Sequence, residues 1–281
     1  MIIDGKKTAA ELREELKKKV VELKSTCNAV PGLTVILVGE DPASKIYVKN
    51  KEKFAKEVGM NSEIIRYPEN LEEKELLKKI EELNKNDKVS GILVQLPLPK
   101  HINKRKVIET IAHGKDVDGF HPTNVGNLSS GYDSSIPCTP LGCSILLKKT
   151  EKNLSGKHAV VIGRSNLNGK PMTQLLLKEN CTVTITHSKT KDLKAECLRA
   201  DIIIAAVGIP KLVKGDWIKK DAIVIDVGIN KTDSGLVGDV DFDEVSKVAK
   251  AITPVPGGVG PMTIACLLNN TVECFKKCHS K

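Results

Sequence analysis

The sequence of 281 residues has no apolar run long enough to span a membrane, and its first 25 residues carry charges throughout instead of a signal-peptide core. We therefore expect a cytoplasmic protein with no membrane partner. Eight cysteines are present without a Cys-x-x-Cys pair, and in that compartment they are expected to stay reduced. Cys274, Cys278 and His279 could supply metal ligands, but no second ligand pair has suitable spacing, so we predict no metal site.

Aromatic residues make up only 3% of the chain, and arginine accounts for only five of its 44 basic residues. The formal charge of +9 can indicate nucleic acid, an anionic surface or anionic small ligands. The lysines are spread over amphipathic helices, and aromatic platforms for stacking single-stranded bases are scarce. We therefore predict no nucleic-acid partner and favour polyanionic metabolites.

Apolar residues make up 40% of the chain and charged residues 28%, which is an ordinary globular composition. The length of the chain suits one large domain or two compact ones. Strands alternate with helices, which predicts parallel sheets. In the first half we predict helices at 6–24, 72–84 and 103–112 and strands at 34–38, 63–66 and 90–95. In the second half we predict a doubly wound sheet of nucleotide-binding type from strands at 158–163, 181–186, 201–206, 223–227 and 250–253.

The helix that follows strand 34–38 contains a lysine among apolar residues. Asp41 or Ser44 can cap its start, and Gly59 suits the left-handed position after its end. At about 100° per residue, one arc of roughly 120° holds Tyr47, Val48, Lys51, Phe54, Ala55 and Val58. A lysine on such an arc must snorkel to solvent, find a partner or occupy a pocket that lowers its pKa. Geometry alone favours the snorkelling lysine.

Polar residues also follow the third predicted strand. Gln95 ends that strand, and the prolines of Leu96–Pro99 prevent its continuation. A later loop contains Asp116 and Asp118, for which loop formation beside glycine is the default interpretation. Ligands of parallel α/β sheets bind beyond the carboxyl ends of the strands, so Gln95 and the helix of Lys51 lie where a ligand site is expected.

Glycine-containing turns follow the strands of the second half. The turn 163–169 reads Gly-Arg-Ser-Asn-Leu-Asn-Gly instead of G-x-G-x-x-G, and alone it fits a phosphate loop or an ordinary tight turn. The turns 205–210 and 226–230 allow a backbone to approach a flat ligand closely. The proline- and glycine-rich stretch 253–263 opens the last helix, where it either exposes backbone N–H groups or acts as an interdomain hinge.

Several of these motifs together resemble the methylenetetrahydrofolate dehydrogenase/methenyltetrahydrofolate cyclohydrolase family, in that family's order, from about Thr34 to the end of the last helix. The matching stretches are Ala43-Ser44 with Tyr47-Val48 and Lys51, Gln95–Pro99, Lys115–Gly119, Pro137–Pro140, Gly163–Met172 and Thr253–Thr263. Asn168 departs from the small aliphatic residue usual in the family's G-R-S-x-x-x-G-x-P run. This departure leaves the fine shape of the turn open.

The resemblance implies an α/β fold of two doubly wound domains, the C-terminal one a Rossmann-type NAD(P)-binding domain, with a cleft between them. Residues 1–140 plus 263–281 would form the folate-binding catalytic domain and residues 141–262 the NADP-binding domain. The implied activity is NADP-dependent oxidation of 5,10-methylenetetrahydrofolate to the methenyl form and its hydrolysis to 10-formyltetrahydrofolate, in one-carbon metabolism. The alternatives are a dehydrogenase without hydrolase activity, using NAD or NADP, and a folate- or nucleotide-binding regulator without chemistry.

The resemblance also implies the residues of the site. Lys51, Tyr47 and Gln95 are the candidates for catalysis of the hydrolysis. Substrate binding is implied for the same three residues and for Leu96, Pro97, Asp118, Pro256, Gly257 and Gly258. A carboxylate at 118 could accept hydrogen bonds from the adjacent N–H and amino groups of a pterin. Cofactor binding is implied for Gly163, Arg164, Ser165, His187, Ser188, Val207, Gly208, Gly228, Ile229 and Thr263.

NADP is the predicted cofactor. No acidic residue ends strand 181–186, where it would bind the free 2′-hydroxyl of NAD, and Arg164-Ser165 with the corner 187–189 suits a 2′-phosphate. The alternative is that these are solvated loop residues. We also expect a homodimer that takes a folate substrate, and the sequence leaves open whether polyglutamylated folates are preferred.

Overall fold

The structure, a computed structural model, describes residues 1–233 and 235–279. Its helices are α1 (Gly5–Cys27), α2 (Pro42–Glu57), α3 (Glu73–Asn84), α4 (Lys104–Thr110), α5 (Pro122–Ser130), α6 (Cys138–Thr150), α7 (Gly169–Lys178), α8 (Leu193–Leu198), α9 (Phe242–Val245) and α10 (Val259–His279). Its strands are β1 (Gly32–Val38), β2 (Asn61–Tyr67), β3 (Gly91–Val94), β4 (His158–Ile162), β5 (Thr182–Thr186), β6 (Ile202–Ala205), β7 (Ile223–Asp226), β8 (Asn230–Thr232), β9 (Gly235–Val237) and β10 (Ala251–Ile252). Within the described ranges, no helix has the length and apolar character needed to cross a membrane.

The chain forms two compact units. The first unit contains residues 10–138 and the chain from Ile264 onward, and the second contains residues 1–9 and 139–263. The contacts thus group residues 1–9 with the second unit, whereas the resemblance implied that residues 1–140 belong to one domain. The backbone N–H of Ile3 donates to the carbonyl oxygen of Ile252 at 2.8 Å, which adds the start of the chain to the sheet of the second unit beyond β10. Two apolar residues at a chain start carry no signal for the sheet edge that they join.

The first unit is built on a three-stranded parallel sheet with the order β2-β1-β3. β1 is buried at all seven positions, as expected for an uninterrupted apolar run in a parallel sheet. Ile80 of α3 and Val107 of α4 share a core with Ile36 and Ile92 of the sheet. Because β1 and β3 are parallel neighbours, their carboxyl ends bring the start of α2 and Gln95 to the same edge.

The second unit is built on a five-stranded parallel sheet with the order β10-β7-β6-β4-β5. Val160, Ile203 and Val224 contribute to its core from three neighbouring strands. The chain first runs from β4 outward to β5 and then returns to β6 on the other side of β4. This reversal between β4 and β6 is the position at which ligands bind in doubly wound sheets. The predicted α/β fold class is confirmed.

The ends of α2 agree with the sequence, but its buried face is narrower than predicted. Asp41 is the cap, since its Oδ2 accepts a hydrogen bond from the backbone N–H of Ser44 at 2.7 Å, and Gly59 has a φ of +85°. Val48, Lys51 and Ala55 are buried, whereas Tyr47 is 41% exposed. Periodicity gives the direction of a buried face, and the neighbouring elements decide its width.

Gly169 is a position at which the fold leaves no room for a side chain. A Cβ there would collide with the carbonyl oxygen of Gly163, whereas a Cβ at Gly126 in α5 would meet no atom within 4 Å. We expect Gly169→Ala to destabilise the protein by about 1–3 kcal/mol, because the turn must move. Gly126→Ala is the matched control and should stabilise it by up to about 1 kcal/mol through helix propensity. Equal urea midpoints for the two variants would contradict the predicted crowding.

Candidate functional site

Lys51 does not snorkel to solvent. Its side chain is buried, with only 8% of the residue exposed, and its Nζ donates a hydrogen bond to Oε1 of Gln95 at 2.8 Å. The other end of the same amide is fixed, since Nε2 of Gln95 donates to the carbonyl oxygen of Leu96 at 2.7 Å. Two residues that the sequence places 44 positions apart are therefore in direct contact. The favoured interpretation from geometry alone, a snorkelling lysine, was wrong.

Asp118 is electrostatically coupled to this pair. Burial raises the pKa of its carboxyl group to about 6, an effect that the positive charge of Lys51 partly offsets. Burial likewise lowers the pKa of Lys51, and the negative charge of Asp118 opposes that shift. Each group would therefore be harder to ionise without the other. A neutral amine and a protonated carboxyl become accessible closer to neutral pH than in free side chains.

Asp116 is the loop-forming residue of the two aspartates. Its carboxylate accepts hydrogen bonds from the backbone N–H groups of Gly119 at 3.0 Å and His121 at 2.8 Å, and from Nδ2 of Asn124 at 2.9 Å. These contacts engage both carboxylate oxygens and hold the loop on either side of position 118. The default interpretation, loop formation, therefore holds for Asp116. Asp118 is then the carboxylate to consider for ligand binding.

Asn270 of α10 also fixes the loop, and the sequence analysis missed it. Its Nδ2 donates to the carbonyl oxygens of Val117 at 2.9 Å and Ile136 at 2.8 Å. The thiol of Cys138 donates to the same carbonyl of Val117 at 3.3 Å. The residue before Asp118 is thus held from a helix about 150 positions later in the chain. A polar residue inside an apolar stretch of the last helix was the only available signal.

The remaining predicted catalytic and substrate residues of the first unit lie near Lys51 in the chain or after Gln95. Tyr47 is one helical turn before Lys51 on α2. Leu96 is half-buried and Pro97 is exposed directly after Gln95. Tyr47 and Pro97 are therefore more exposed than the buried Lys51.

The turn between β4 and α7 is fixed by local hydrogen bonds and leaves one arginine exposed. Gly163 has a φ of +111°, and its N–H donates to the carbonyl oxygen of Thr186 at 3.0 Å. The hydroxyl of Ser165 accepts a hydrogen bond from the backbone N–H of Asn168 at 3.1 Å, just before the helix begins. Arg164 is exposed and makes no hydrogen bond or ion pair within residues 1–233 and 235–279. Its guanidinium is available to a ligand.

The corner after β5 is a tight turn without an acidic residue. The backbone N–H of His187 donates to the hydroxyl of Thr190 at 3.0 Å, and Nδ1 of His187 accepts a hydrogen bond from the backbone N–H of Lys189 at 3.1 Å. In the neutral imidazole the ring proton must then lie on Nε2, which makes that atom a donor. Ser188 and Lys189 are exposed beside it. Hydroxyl, imidazole and ammonium donors at one corner suit an anionic group.

Two buried aspartates, which the sequence analysis did not single out, organise the turns after β6 and β7. The carboxylate of Asp239 accepts hydrogen bonds from three successive backbone N–H groups, those of residues 207–209, at 2.6, 2.9 and 3.0 Å. The carboxylate of Asp226 accepts hydrogen bonds from the N–H groups of Gly228, Asp239 and Val240 at 2.9–3.0 Å. Burial raises the pKa of Asp226 to about 7, and these three hydrogen bonds oppose the rise.

These contacts change the interpretation of two turn glycines. A Cβ at Gly228 would collide with the carboxylate of Asp239, so this glycine is required by the protein's own packing. Gly208 has a φ of +69° and open space where its Cβ would lie, so backbone conformation requires it. The N–H groups of Val207 and Gly208 are already used, and these residues can offer a ligand only carbonyl groups and surface. Ile229 is 51% exposed beside them.

The turn 253–258 belongs to the second unit and is fixed mainly by its own backbone. The carbonyl oxygen of Gly257 accepts a hydrogen bond from the N–H of Lys6 at 3.1 Å, and the N–H of Gly258 donates to the carbonyl oxygen of Pro254 at 2.9 Å. Gly258 is buried and Pro256 is exposed. The helix start therefore exposes fewer N–H groups than the sequence suggested. Thr263 lies in the second turn of α10, which begins at Val259, and its hydroxyl lies 3.0 Å from that of Thr139.

The cysteines are free thiols. Within the described ranges, no group of three or more His, Cys, Asp or Glu side chains is arranged to hold a metal ion. Cys274, one of the candidate ligands, is buried with its sulfur 3.5 Å from the hydroxyl of Ser135. Packing explains its position.

Two family models match the chain. The tetrahydrofolate dehydrogenase/cyclohydrolase catalytic domain matches residues 3–118, and the NAD(P)-binding domain of the same family matches residues 137–279. The chain belongs to the tetrahydrofolate dehydrogenase/cyclohydrolase family. This confirms the predicted family and the NAD(P)-binding character of the second half of the chain.

Individual relatives agree over the whole length. The chain is 77% identical over 277 residues to the bifunctional protein FolD of Pelagibacter ubique, a match that covers 99% of both chains. It superposes on the crystal structure of the bifunctional enzyme FolD from Campylobacter jejuni with a TM-score of 0.96 and 52% identity, covering 99% of both chains. A Trypanosoma brucei dehydrogenase-cyclohydrolase crystallised with NADP and an inhibitor has a TM-score of 0.94 and 38% identity, covering 100% of this chain and 99% of the other.

The coupling of Lys51 and Asp118 predicts reciprocal changes in pKa. Removing the positive charge by Lys51→Met should raise the pKa of Asp118 above about 6, and Asp118→Asn should lower the pKa of Lys51 further, because each ionised group stabilises the other. Side-chain NMR titration of carboxyl and lysine carbons measures both midpoints. Lys49→Met, on the exposed side of α2, is the control and should shift neither. An unchanged Asp118 midpoint in Lys51→Met would show that the two charges do not interact.

Proposed function

We propose that this protein oxidises 5,10-methylenetetrahydrofolate to 5,10-methenyltetrahydrofolate with NADP and hydrolyses the product to 10-formyltetrahydrofolate. The observation that carries the proposal is the buried hydrogen bond between Lys51 and Gln95 beside Asp118, in a chain of the dehydrogenase/cyclohydrolase family. A lysine with a lowered pKa, held by an amide at a strand end, is suited to proton transfer. The second unit supplies a nucleotide-binding sheet.

In the oxidation, the residues of this chain mainly position the reactants. NADP, when bound, accepts a hydride from the methylene carbon of the folate. Loss of that hydride leaves a cation stabilised by the two neighbouring nitrogen atoms, so the step requires no strong general base. Reaction needs the two carbons at near-attack distance. The hydrogen-bonded turns at the carboxyl ends of β6 and β7 support the proposal that this unit positions the cofactor.

In the hydrolysis, water attacks the methenyl carbon and a C–O bond forms. The water loses one proton as it attacks. One C–N bond of the ring then breaks as that nitrogen gains a proton, and the remaining hydroxyl proton is released to solvent as the formyl C=O forms. Lys51 is placed to accept the first proton in its neutral form and to return a proton to the nitrogen, while Gln95 orients its amine. Tyr47, one turn earlier on α2, is the further candidate for contact with the substrate. A dehydrogenase without hydrolase activity is not favoured, since both residues are present and paired.

Asp118 is proposed to hold the pterin ring. Its ionised carboxylate can accept two parallel hydrogen bonds from the ring N–H and the adjacent amino group. Asp116 and Asn270 fix the loop around it, so that the carboxylate is held in place before substrate arrives. The exposed residues Pro97 and Pro256 are the proposed substrate contacts that come from the two proline-containing turns.

Arg164 and the corner 187–189 are proposed to bind the 2′-phosphate of NADP. The guanidinium of Arg164 has no competing partner within the described residues, and the donors of His187 and Ser188 lie after the neighbouring strand. A planar guanidinium can donate two parallel hydrogen bonds to a phosphate. No carboxylate at this corner would repel it.

One assay tests the central proposal. Purified protein is given methylenetetrahydrofolate with NADP or NAD, and formation of the methenyl product is followed by absorbance. Decay of added methenyltetrahydrofolate without nucleotide then measures the hydrolase alone. Both activities are expected, with NADP preferred. Hydrolase activity no greater than that of buffer would contradict the bifunctional assignment.

Lys51→Met should abolish most of the hydrolase activity. The substitution keeps the length of the side chain but removes the titrating amine, so we expect a loss of at least about 100-fold, the usual scale for a positioned acid–base group. Lys49→Met changes an exposed lysine of the same helix and should leave the rate within about twofold of wild type. If Lys51→Met is folded and hydrolyses at the wild-type rate, Lys51 is not the catalytic group.

Arg164→Ala should weaken NADP use specifically. Loss of a hydrogen bond to a charged group costs about 1.5–3 kcal/mol, so kcat/KM for NADP should fall while that for NAD stays nearly constant. Arg199→Ala, another exposed arginine of the second unit, is the control. An equal loss for both nucleotides would assign Arg164 to a part of the cofactor that NAD and NADP share.

We also propose a cytoplasmic homodimer whose product supplies one-carbon units, for example to purine biosynthesis. The free cysteines support the cytoplasmic location. Light scattering after size-exclusion chromatography tests the dimer, and cell fractionation tests the location. Comparison of KM for mono- and polyglutamylated folates shows whether the enzyme prefers polyglutamylated substrates.

A further inference from the structure

We infer that Asp239 is a positioning residue for the dinucleotide, acting through the two turns that flank it. The inference rests on the proposed use of NADP and adds to it a residue that touches no ligand. Asp239 is fully buried, with 0% of its surface exposed, and its carboxylate is surrounded by hydrogen-bond donors. It therefore acts on the cofactor only by setting the shape of the backbone.

Four donors converge on this carboxylate. Oδ2 accepts hydrogen bonds from the N–H groups of Val207 at 2.6 Å and Gly208 at 2.9 Å, and Oδ1 accepts hydrogen bonds from the N–H of Ile209 at 3.0 Å and Nδ2 of Asn230 at 2.9 Å. Successive backbone N–H groups that point at one anion form a nest, an arrangement that usually binds phosphate or another free anion. Here the protein's own carboxylate fills the nest.

A second carboxylate fixes the first. Oδ1 of Asp226 accepts a hydrogen bond from the backbone N–H of Asp239 at 2.9 Å, and its Oδ2 accepts one from Val240 at 2.9 Å. Glycines at 228 and 238 make room for the two carboxylates, since a Cβ at either position would collide with one of them. The turns after β6 and β7 are therefore joined through one continuous hydrogen-bond network. Movement of Asp239 must displace both turns.

The filled nest also determines which part of the dinucleotide the turns can accept. Its N–H groups are taken and its charge is negative, so a phosphate would find neither donors nor attraction there. Flanking surface is apolar, with Ile209 and Ile229 each about half exposed. A flat ring that needs no backbone N–H donor, such as the nicotinamide, suits this surface. The phosphates are left to the turn 163–169, where Arg164 is free within the described residues.

The test distinguishes an effect of Asp239 on cofactor binding from an effect on the fold. In Asp239→Asn, an amide NH₂ replaces one acceptor oxygen and faces backbone donors, so the turns must shift. We expect the Kd for NADPH, measured by fluorescence titration, to rise at least tenfold and the dehydrogenase kcat/KM to fall accordingly. Hydrolysis of methenyltetrahydrofolate without nucleotide should stay within about twofold of wild type. Asp243→Asn, an exposed acid of the same unit, should change neither.

Asn230→Ala provides a milder second variant in case Asp239→Asn does not fold. It removes one of the four donors, and we expect a rise in the Kd for NADPH of about threefold with the same unchanged hydrolase. Wild-type NADPH affinity in either folded variant would overturn the inference, as would equal losses of both activities, which indicate a purely structural role. Wild-type protein that fails to oxidise methylenetetrahydrofolate would instead contradict the proposed function.

Discussion

Burial of charged side chains is the constraint on which the site of the first unit depends. A lysine placed among apolar residues must be compensated, and Lys51 is compensated by the amide of Gln95 and by the nearby charge of Asp118. Neither partner removes the cost of desolvation entirely, since the pKa of Lys51 is still lowered and that of Asp118 still raised. This residual cost brings the titration of both groups closer to neutral pH than in free side chains.

The second unit treats its buried charges in the opposite way. The carboxylates of Asp226 and Asp239 accept hydrogen bonds from backbone N–H groups of the turns themselves. These two charges therefore serve to fix the shape of the turns. In the first unit Asp116 has this role, and the neighbouring Asp118 is the aspartate proposed to bind the substrate. The two units thus separate the two requirements of the chemistry. Hydrolysis requires groups that titrate, whereas hydride transfer requires accurate placement.

The same comparison explains which glycines matter. Sequence reasoning took the glycine turns after β6 and β7 as places where a ligand approaches the backbone. Gly228 is instead needed because Asp239 occupies the space beside it, and Gly208 is needed for its positive φ. A glycine in a strand-end turn therefore indicates close approach, but the approaching group can be the protein's own carboxylate.

The sequence by itself determined the element types, the parallel α/β class and the family, because apolar periodicity and strand-end motifs are local properties of the chain. Through the family resemblance, it also led to the prediction that Lys51, Gln95 and Asp118 are site residues. Only the tertiary structure showed that Lys51 contacts Gln95, that Asp116 is consumed by its loop, and that Asn270 and Asp239 support residues far away in sequence. Such pairings depend on which strand ends and helices meet in space. A single sequence carries no record of contacts between residues tens to hundreds of positions apart, so hydrogen-bond partners and burial are decided by the fold.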